Sequence, residues 1–235
     1  MQTRRQRNRD EQRQRILDSA RFLFGARSFE DVTMADIAEL AGVARATVFN
    51  HFASKHQLVE AITGDVLAFW ASMLEHALGD EDTPTPALVR ALFSQMGAGI
   101  EQYYRFYRGV FRELAKLQQG IDERSAVVRV RATSLERLTA LLARGQARGE
   151  LRADVVAADL ASAFDSLANG TISQWLFENT SGSLRERMER VAEIYLGPVA
   201  IGANAARAAT VVELPAPPHS LRAPTRRPPA RRRRT

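Results

Sequence analysis

"TMADIAELAGVARATVFNHFASK", residues Thr33 to Lys55, decides how this chain is read. Thr33 stands three residues before Asp36, the spacing at which a hydroxyl and a carboxylate cap a helix start. Ile37, Leu40 and Ala41 then line one face of a short helix. Gly42 is a natural stop, because glycine accepts the left-handed backbone of a helix end. A second short helix is expected from Arg45 to His51, with Val48 and Phe52 turned inward. Two helices joined by a tight glycine turn form a helix-turn-helix, which lays its second helix in the major groove of DNA.

The side chains suit that task. With Val48 and Phe52 inward, Arg45, Ala46, Thr47, Asn50 and His51 occupy the outer face. Arginine can read guanine, asparagine can read adenine, and Thr or Ala fits against a thymine methyl. Lys55 opens the next helix within reach of a phosphate, and Thr33 offers a hydroxyl and helix N-terminal amides to another.

Charge supports a polyanionic partner. The net charge of the 235 residues is +6, but residues 1–15 and 213–235 carry +4 and +6, which leaves the body between them at −4. Basic ends on a mildly acidic body point to nucleic acid or another anionic surface. Solvated tails that bind nothing are the plainer alternative. There is no cysteine, so thiol chemistry and disulfides are excluded. No apolar run reaches the ~18 residues of a membrane helix, and "MQTRRQRNRDEQRQR" lacks the apolar core of a secretory signal. The expectation is a cytoplasmic protein with no membrane association.

Elsewhere the pattern is helical throughout, so the expected fold class is all-α. Ile16, Leu17, Ala20, Leu23 and Phe24 define a helix over 10–26. Helices are further expected over 54–78, 86–104, 105–118, 122–148, 155–178 and 183–208, with "GDEDTPTP" a clear break. The domain division that follows is a basic disordered arm at 1–9, a helix-turn-helix domain at 10–54 and a larger helical domain at 55–210. A Pro- and Arg-rich tail at 211–235 has almost nothing to bury and is expected to be disordered.

"RILDSARFLFGARSFEDVTMADIAELAGVARATVFNHFASKHQLVEAI", Arg15 to Ile62, resembles the DNA-binding domain of the tetracycline-repressor (TetR) family of bacterial regulators. The resemblance rests on the Thr33 helix start, Ile37-Ala38, Ala41-Gly42-Val43, the aromatic-x-His-Phe run at 49–52 and Lys55. It covers about a fifth of the chain closely, and the remaining helices match in number, length and order. By position it implies DNA contacts at Thr33, Arg45, Ala46, Thr47, Phe49, Asn50, His51 and Lys55. There are two departures. The family usually has Tyr where this chain has Phe49, which removes a phosphate-touching hydroxyl. Ala44 replaces the usual Ser or Thr cap of the recognition helix, at a cost of about 1 kcal/mol.

The resemblance also implies a homodimer and an effector pocket in the larger domain. Phe69, Trp70, Met73, Phe93, Met96, Tyr103, Tyr104, Tyr107 and Phe111 are the pocket candidates, favouring an apolar, aromatic or acyl effector. An aromatic and Met stripe is more often simple core than ligand lining. Gly97 and Gly99, each costing about 1 kcal/mol in a helix interior, suggest a break where a cavity could open. The dimer candidates are Leu160, Phe164, Leu167, Thr171 and Trp175 on one helix, with Leu184, Met188, Val191 and Tyr195 on the next. Packing within one subunit would use some of the same positions.

Enzyme readings lack parts. His56 and Glu60 form a helical i, i+4 pair with no third ligand, so no metal and no cofactor is expected. No phosphate-binding Gly loop, nucleophile elbow or zinc-protease signature occurs. The expected function is a repressor released from an inverted-repeat operator by a small apolar effector. The runner-up is an effector-independent DNA compactor acting through its basic ends.

Overall fold

The computed structural model describes residues 3–102, 104–108, 126–177, 182–201 and 214. Among them the chain is helical, and no strand forms beyond a single bridge between Leu151 and Ala200. Three helices come first: α1 (Arg4–Ala26), α2 (Met34–Ala41) and α3 (Arg45–His51). Then follow α4 (Lys55–Gly79), α5 (Thr85–Gln102), α6 (Ala126–Ala147), α7 (Ala157–Phe177) and α8 (Leu184–Leu196). Residues 104–108 are helical as well.

Local chemistry sets the boundaries. Asp36 N–H donates to Thr33 Oγ1 at 3.1 Å and Thr33 N–H donates to Asp36 Oδ2 at 3.0 Å, so the capping box closes α2. Gly42 ends it at φ +65°. The Ser54 hydroxyl caps α4 by accepting from Gln57 N–H at 3.3 Å, and Gln57 Oε1 accepts from Ala53 N–H at 2.8 Å. Ser183 caps α8, and its hydroxyl is held 3.0 Å from Glu101 on α5.

Two apolar cores result. The N-terminal core gathers Ile16, Leu17, Ala20 and Phe24 of α1, Ile37 and Ala41 of α2, and Val48 of α3. Leu58, Val59 and Ile62 of α4 join it, so the boundary expected at 54/55 is crossed by the first two turns of α4. These side chains recur at three and four along α4, and their face must be covered. The C-terminal core packs α5 against α8, α4 against α6, and α7 against both α6 and α8. Arg137 and Arg144 of α6 donate to the carbonyls of Ala71 and Leu78 at 2.8 and 2.7 Å, tying α6 along the second half of α4.

Three expectations change here. The arm at 1–9 is helical from Arg4, because Thr3 caps it through Gln6 N–H at 3.3 Å and Arg and Gln are good helix formers. Gly97 opens no cavity: a Cβ there would lie 2.6 Å from Arg185 Cα, so the glycine lets α5 and α8 touch backbone to backbone. In the stretch expected to be an unpacked tail, Leu214 is buried in the C-terminal core, where an apolar side chain belongs. The rest of 215–235 lies outside the described residues, as does most of the helix expected at 105–118.

Candidate nucleic-acid interface

The outer face of α3 forms as its spacing requires. Val48 is fully buried and Phe52 nearly so, anchoring the helix at both of its inward positions. Arg45, Ala46, Phe49 and Asn50 are exposed, and Thr47 and His51 are half-buried. Ala44 makes no side-chain cap, as its methyl dictates. Phe49 is 43 % exposed, and the Arg45 guanidinium lies 5.6 Å from its ring centroid. An aromatic face attracts a guanidinium, so Phe49 acts as a shelf that orients Arg45.

Thr33 is exposed at the N-terminus of α2. Its oxygen accepts the Asp36 N–H within the capping box, so the hydroxyl stands at the surface. The Thr33 amide and hydroxyl, followed by Arg27 at 3.3 Å, hold the Asp36 carboxyl below its usual range.

Lys55 is engaged inside the domain. Its ammonium donates to the carbonyls of Phe29 and Glu30 at 2.7 and 3.3 Å and sits 4.5 Å from the Phe29 ring centroid. Lys55 therefore clamps the loop between α1 and α2 onto the start of α4, which fixes where Thr33 stands. Its first job is positioning, a role that sequence alone does not reveal.

Two arginines of α1 flank the far end of α3. The Arg13 guanidinium lies 5.5 Å from the Phe52 ring centroid. Partial burial, then the fields of Arg9 and Arg13, push the His51 imidazole below its ordinary value of 6.5.

In the C-terminal domain the pocket candidates divide. Met73 and Phe93 carry no accessible surface and are core, not lining; the Phe93 ring lies 4.1 Å from that of Phe164 and 5.9 Å from that of Tyr195. Phe69, Trp70, Met96, Tyr104 and Tyr107 are partly buried around that core. The Trp70 ring lies against Gly99, 3.6 Å from the place of a Cβ, and Tyr104 meets Trp175 edge-on at 5.0 Å. Tyr103 and Phe111 lie outside the described residues.

The dimer candidates divide more sharply. Leu160, Phe164, Trp175, Leu184, Met188 and Tyr195 are buried inside the subunit's own core, so their stripe faces α5 and α6. The Tyr195 hydroxyl, pushed up by burial, donates to Leu160 O at 3.0 Å and locks α7 to α8. Val191 is partly buried against the same core and Thr171 half-exposed, while Leu167 is exposed. The large apolar side chains that α7 and α8 present outward are Leu167, Phe177 and Ile194.

Comparison with known proteins agrees with this geometry. Residues 16–62 match the N-terminal model of the bacterial regulatory proteins of the tetR family, and residues 87–196 match the C-terminal domain of SbtR-like transcriptional regulators. The chain is 30 % identical over 113 residues to the uncharacterized regulator TtgW of Pseudomonas putida, covering 48 % of this chain and 78 % of that one. This chain belongs to the TetR family of transcriptional regulators. It is also 29 % identical to the HTH-type regulator TtgR of Pseudomonas putida over 77 % of this chain and 87 % of that one. In fold it is similar to the regulator FadR of Bacillus subtilis, solved with stearoyl-CoA, at a TM-score of 0.62 and 19 % identity; the match covers 78 % of this chain and 97 % of that one. Among the described residues no helix is long and apolar enough to cross a membrane, and no group of three potential metal ligands occurs.

Proposed function

We propose that this TetR-family regulator is a homodimeric repressor that reads an inverted-repeat operator through α3 and is released by an apolar or aromatic small molecule. The observation that carries the reading is the outer face of α3. Arg45, oriented on Phe49, and Asn50 are both exposed on α3, and their residue types suit guanine and adenine edges. Thr33 offers a phosphate contact from α2, and Lys55 supports it by fixing the loop before it. Two-fold symmetry of the dimer would duplicate the half-site, and the outward Leu167, Phe177 and Ile194 of α7 and α8 are the apolar surface best suited to face their own copies.

Release follows from how α4 is shared. Its first two turns belong to the DNA-binding core, while Met73, Leu74 and Ala77 belong to the C-terminal core. A molecule seated against Phe69, Trp70 and Tyr104 acts on that one helix. If it prefers one tilt of α4, it changes the separation of the two α3 helices across the dimer. Differential affinity of this kind is typically worth about 1–3 kcal/mol. The ligand named with the FadR structure is an acyl thioester, which fits an apolar effector class for this chain.

Gel shifts with the DNA upstream of the gene, against scrambled competitor, test the reading. Arg45→Ala and Asn50→Ala should each lose about 1–3 kcal/mol of discrimination. Lys55→Ala should weaken both DNAs and also lower thermal stability, because it frees the Phe29–Glu30 loop. Equal affinity of the wild type for both DNAs would favour the effector-independent compactor, whose supporting observation is the charge of the two ends. A screen of acyl and aromatic compounds for operator release, repeated on Trp70→Ala, tests the effector.

A further inference from the structure

The face of α1 that builds the N-terminal core does not stop where the core stops. Ile16, Ala20 and Leu23 lie on it, fully or almost fully buried. Counting back by the helical repeat, the same face carries Arg13, then Arg9, then Arg5. Arg13 is half-buried over Phe52, and Arg9 and Arg5 are exposed as the helix runs past the C-terminal end of α3. At ~1.5 Å per residue they form a row with about 6 Å between steps. By the same count Arg7 falls on the opposite side and Arg4 about 100° round from Arg5, off the row.

We propose that Arg5 and Arg9 form a helical rail that holds the phosphate backbone of duplex DNA beside the C-terminal end of α3. The rail rests on the reading of α3 as the recognition helix. Three observations carry it: the row continues a buried face, it ends against α3 through Arg13 and Phe52, and residues 3–9 contain four arginines and no acid. Positive charge at the positive end of a helix dipole is unfavourable and asks for an anion nearby. A duplex backbone supplies a regular row of such anions, and α3 brings it to this edge of the domain. Because the rail is a helix and not a loose arm, its two faces must behave differently. The His51 imidazole is lowered first by partial burial and then by the nearby charges of Arg9 and Arg13, which stand at this edge.

The test uses the full chain and two charge-matched double variants, Arg5→Gln with Arg9→Gln on the row (the inner pair) and Arg4→Gln with Arg7→Gln off it (the outer pair). Glutamine keeps helix propensity. Binding to the operator fragment and to scrambled duplex is measured over a range of salt. Each lost phosphate contact flattens the log–log salt slope by about 0.9. The inner pair should flatten it by about 2 on both DNAs, leave their affinity ratio unchanged, and recover with Arg5→Lys and Arg9→Lys. The outer pair should change it by well under 1. An unchanged slope for the inner pair, or equal flattening by both pairs, overturns the rail. If the wild type fails to distinguish operator from scrambled duplex while the inner pair still flattens the slope, the specific-repressor reading falls and the rail stands.

Discussion

Phe106 belongs by sequence to the larger domain, yet its side chain is buried in the core of the DNA-binding domain, and its backbone N lies 3.3 Å from where a Cβ on Gly25 would sit. Tyr107 packs against both cores. The 104–108 segment is thus a second link between the two halves, beside α4.

Gly25 is glycine because α1 and this segment approach backbone to backbone. Gly25→Ala should cost about 1 kcal/mol, since the nearest contact atom, Phe106 N, is backbone and cannot rotate away. Phe106→Ala should cost about 3 kcal/mol by cavity formation. Both should shift operator affinity although neither residue is near α3. Calorimetry with operator binding checks this, and unchanged affinity in both variants would break the proposed link.

Gly97 and Gly99 look alike in sequence and differ in structure. A Cβ on Gly97 meets Arg185 Cα at 2.6 Å, whereas one on Gly99 meets Trp70 Cζ2 at an ordinary 3.6 Å. Gly97→Ala is expected to destabilise by about 3 kcal/mol, as overpacked backbone contacts do. Gly99→Ala should stabilise by up to about 1 kcal/mol through helix propensity. Thermal unfolding of the two variants decides it; loss of the same stability in both would contradict the packing described.

That contrast shows what the sequence can carry. The Thr33–Asp36 box and the Gly42 stop are interactions within one helical turn or at its end, so spacing suffices to read them. The Lys55 clamp spans 25 and 26 residues to Glu30 and Phe29, and no local pattern marks it. Leu160, Phe164 and Trp175 show the same limit differently. Period 3.6 reveals that α7 has an apolar face but not whether its own subunit or a second copy covers it. The helical rail was legible after all, since Arg5, Arg9 and Arg13 keep the period of the buried face. Their charge concealed it, because an arginine-rich terminus reads as an arm by composition.

The outward face of α7 and α8 makes a separate prediction. Leu167 is 38 % exposed and Ile194 68 %, and neither belongs to the C-terminal core. Leu167→Glu with Ile194→Glu should give a folded monomer by light scattering, with helix content intact and operator affinity lost. Phe164→Ala, by contrast, should cost about 3–5 kcal/mol from within the subunit. A dimer that survives both charges would place the subunit contact elsewhere.

Burial first, then Arg9 and Arg13, hold the His51 imidazole below 6.5, so it is neutral at pH 7 in the free protein. The unfolded chain takes up a proton near 6.5 while the folded chain does not. Folding stability therefore falls as the pH drops below 6.5 and levels off once folded His51 also titrates. DNA reverses the field, because phosphates beside Arg9 and Arg13 favour the imidazolium. Binding should then take up a proton, and affinity should rise as the pH falls through the window between the free and DNA-bound values of His51. His51→Gln should flatten that dependence, and Arg9→Gln should raise the free value only part of the way, since burial is the larger cause. NMR titration of the His51 ring with and without duplex DNA measures both values. If His51 titrates above 6.5 in the free protein, or does not move when DNA is added, it does not face the phosphates.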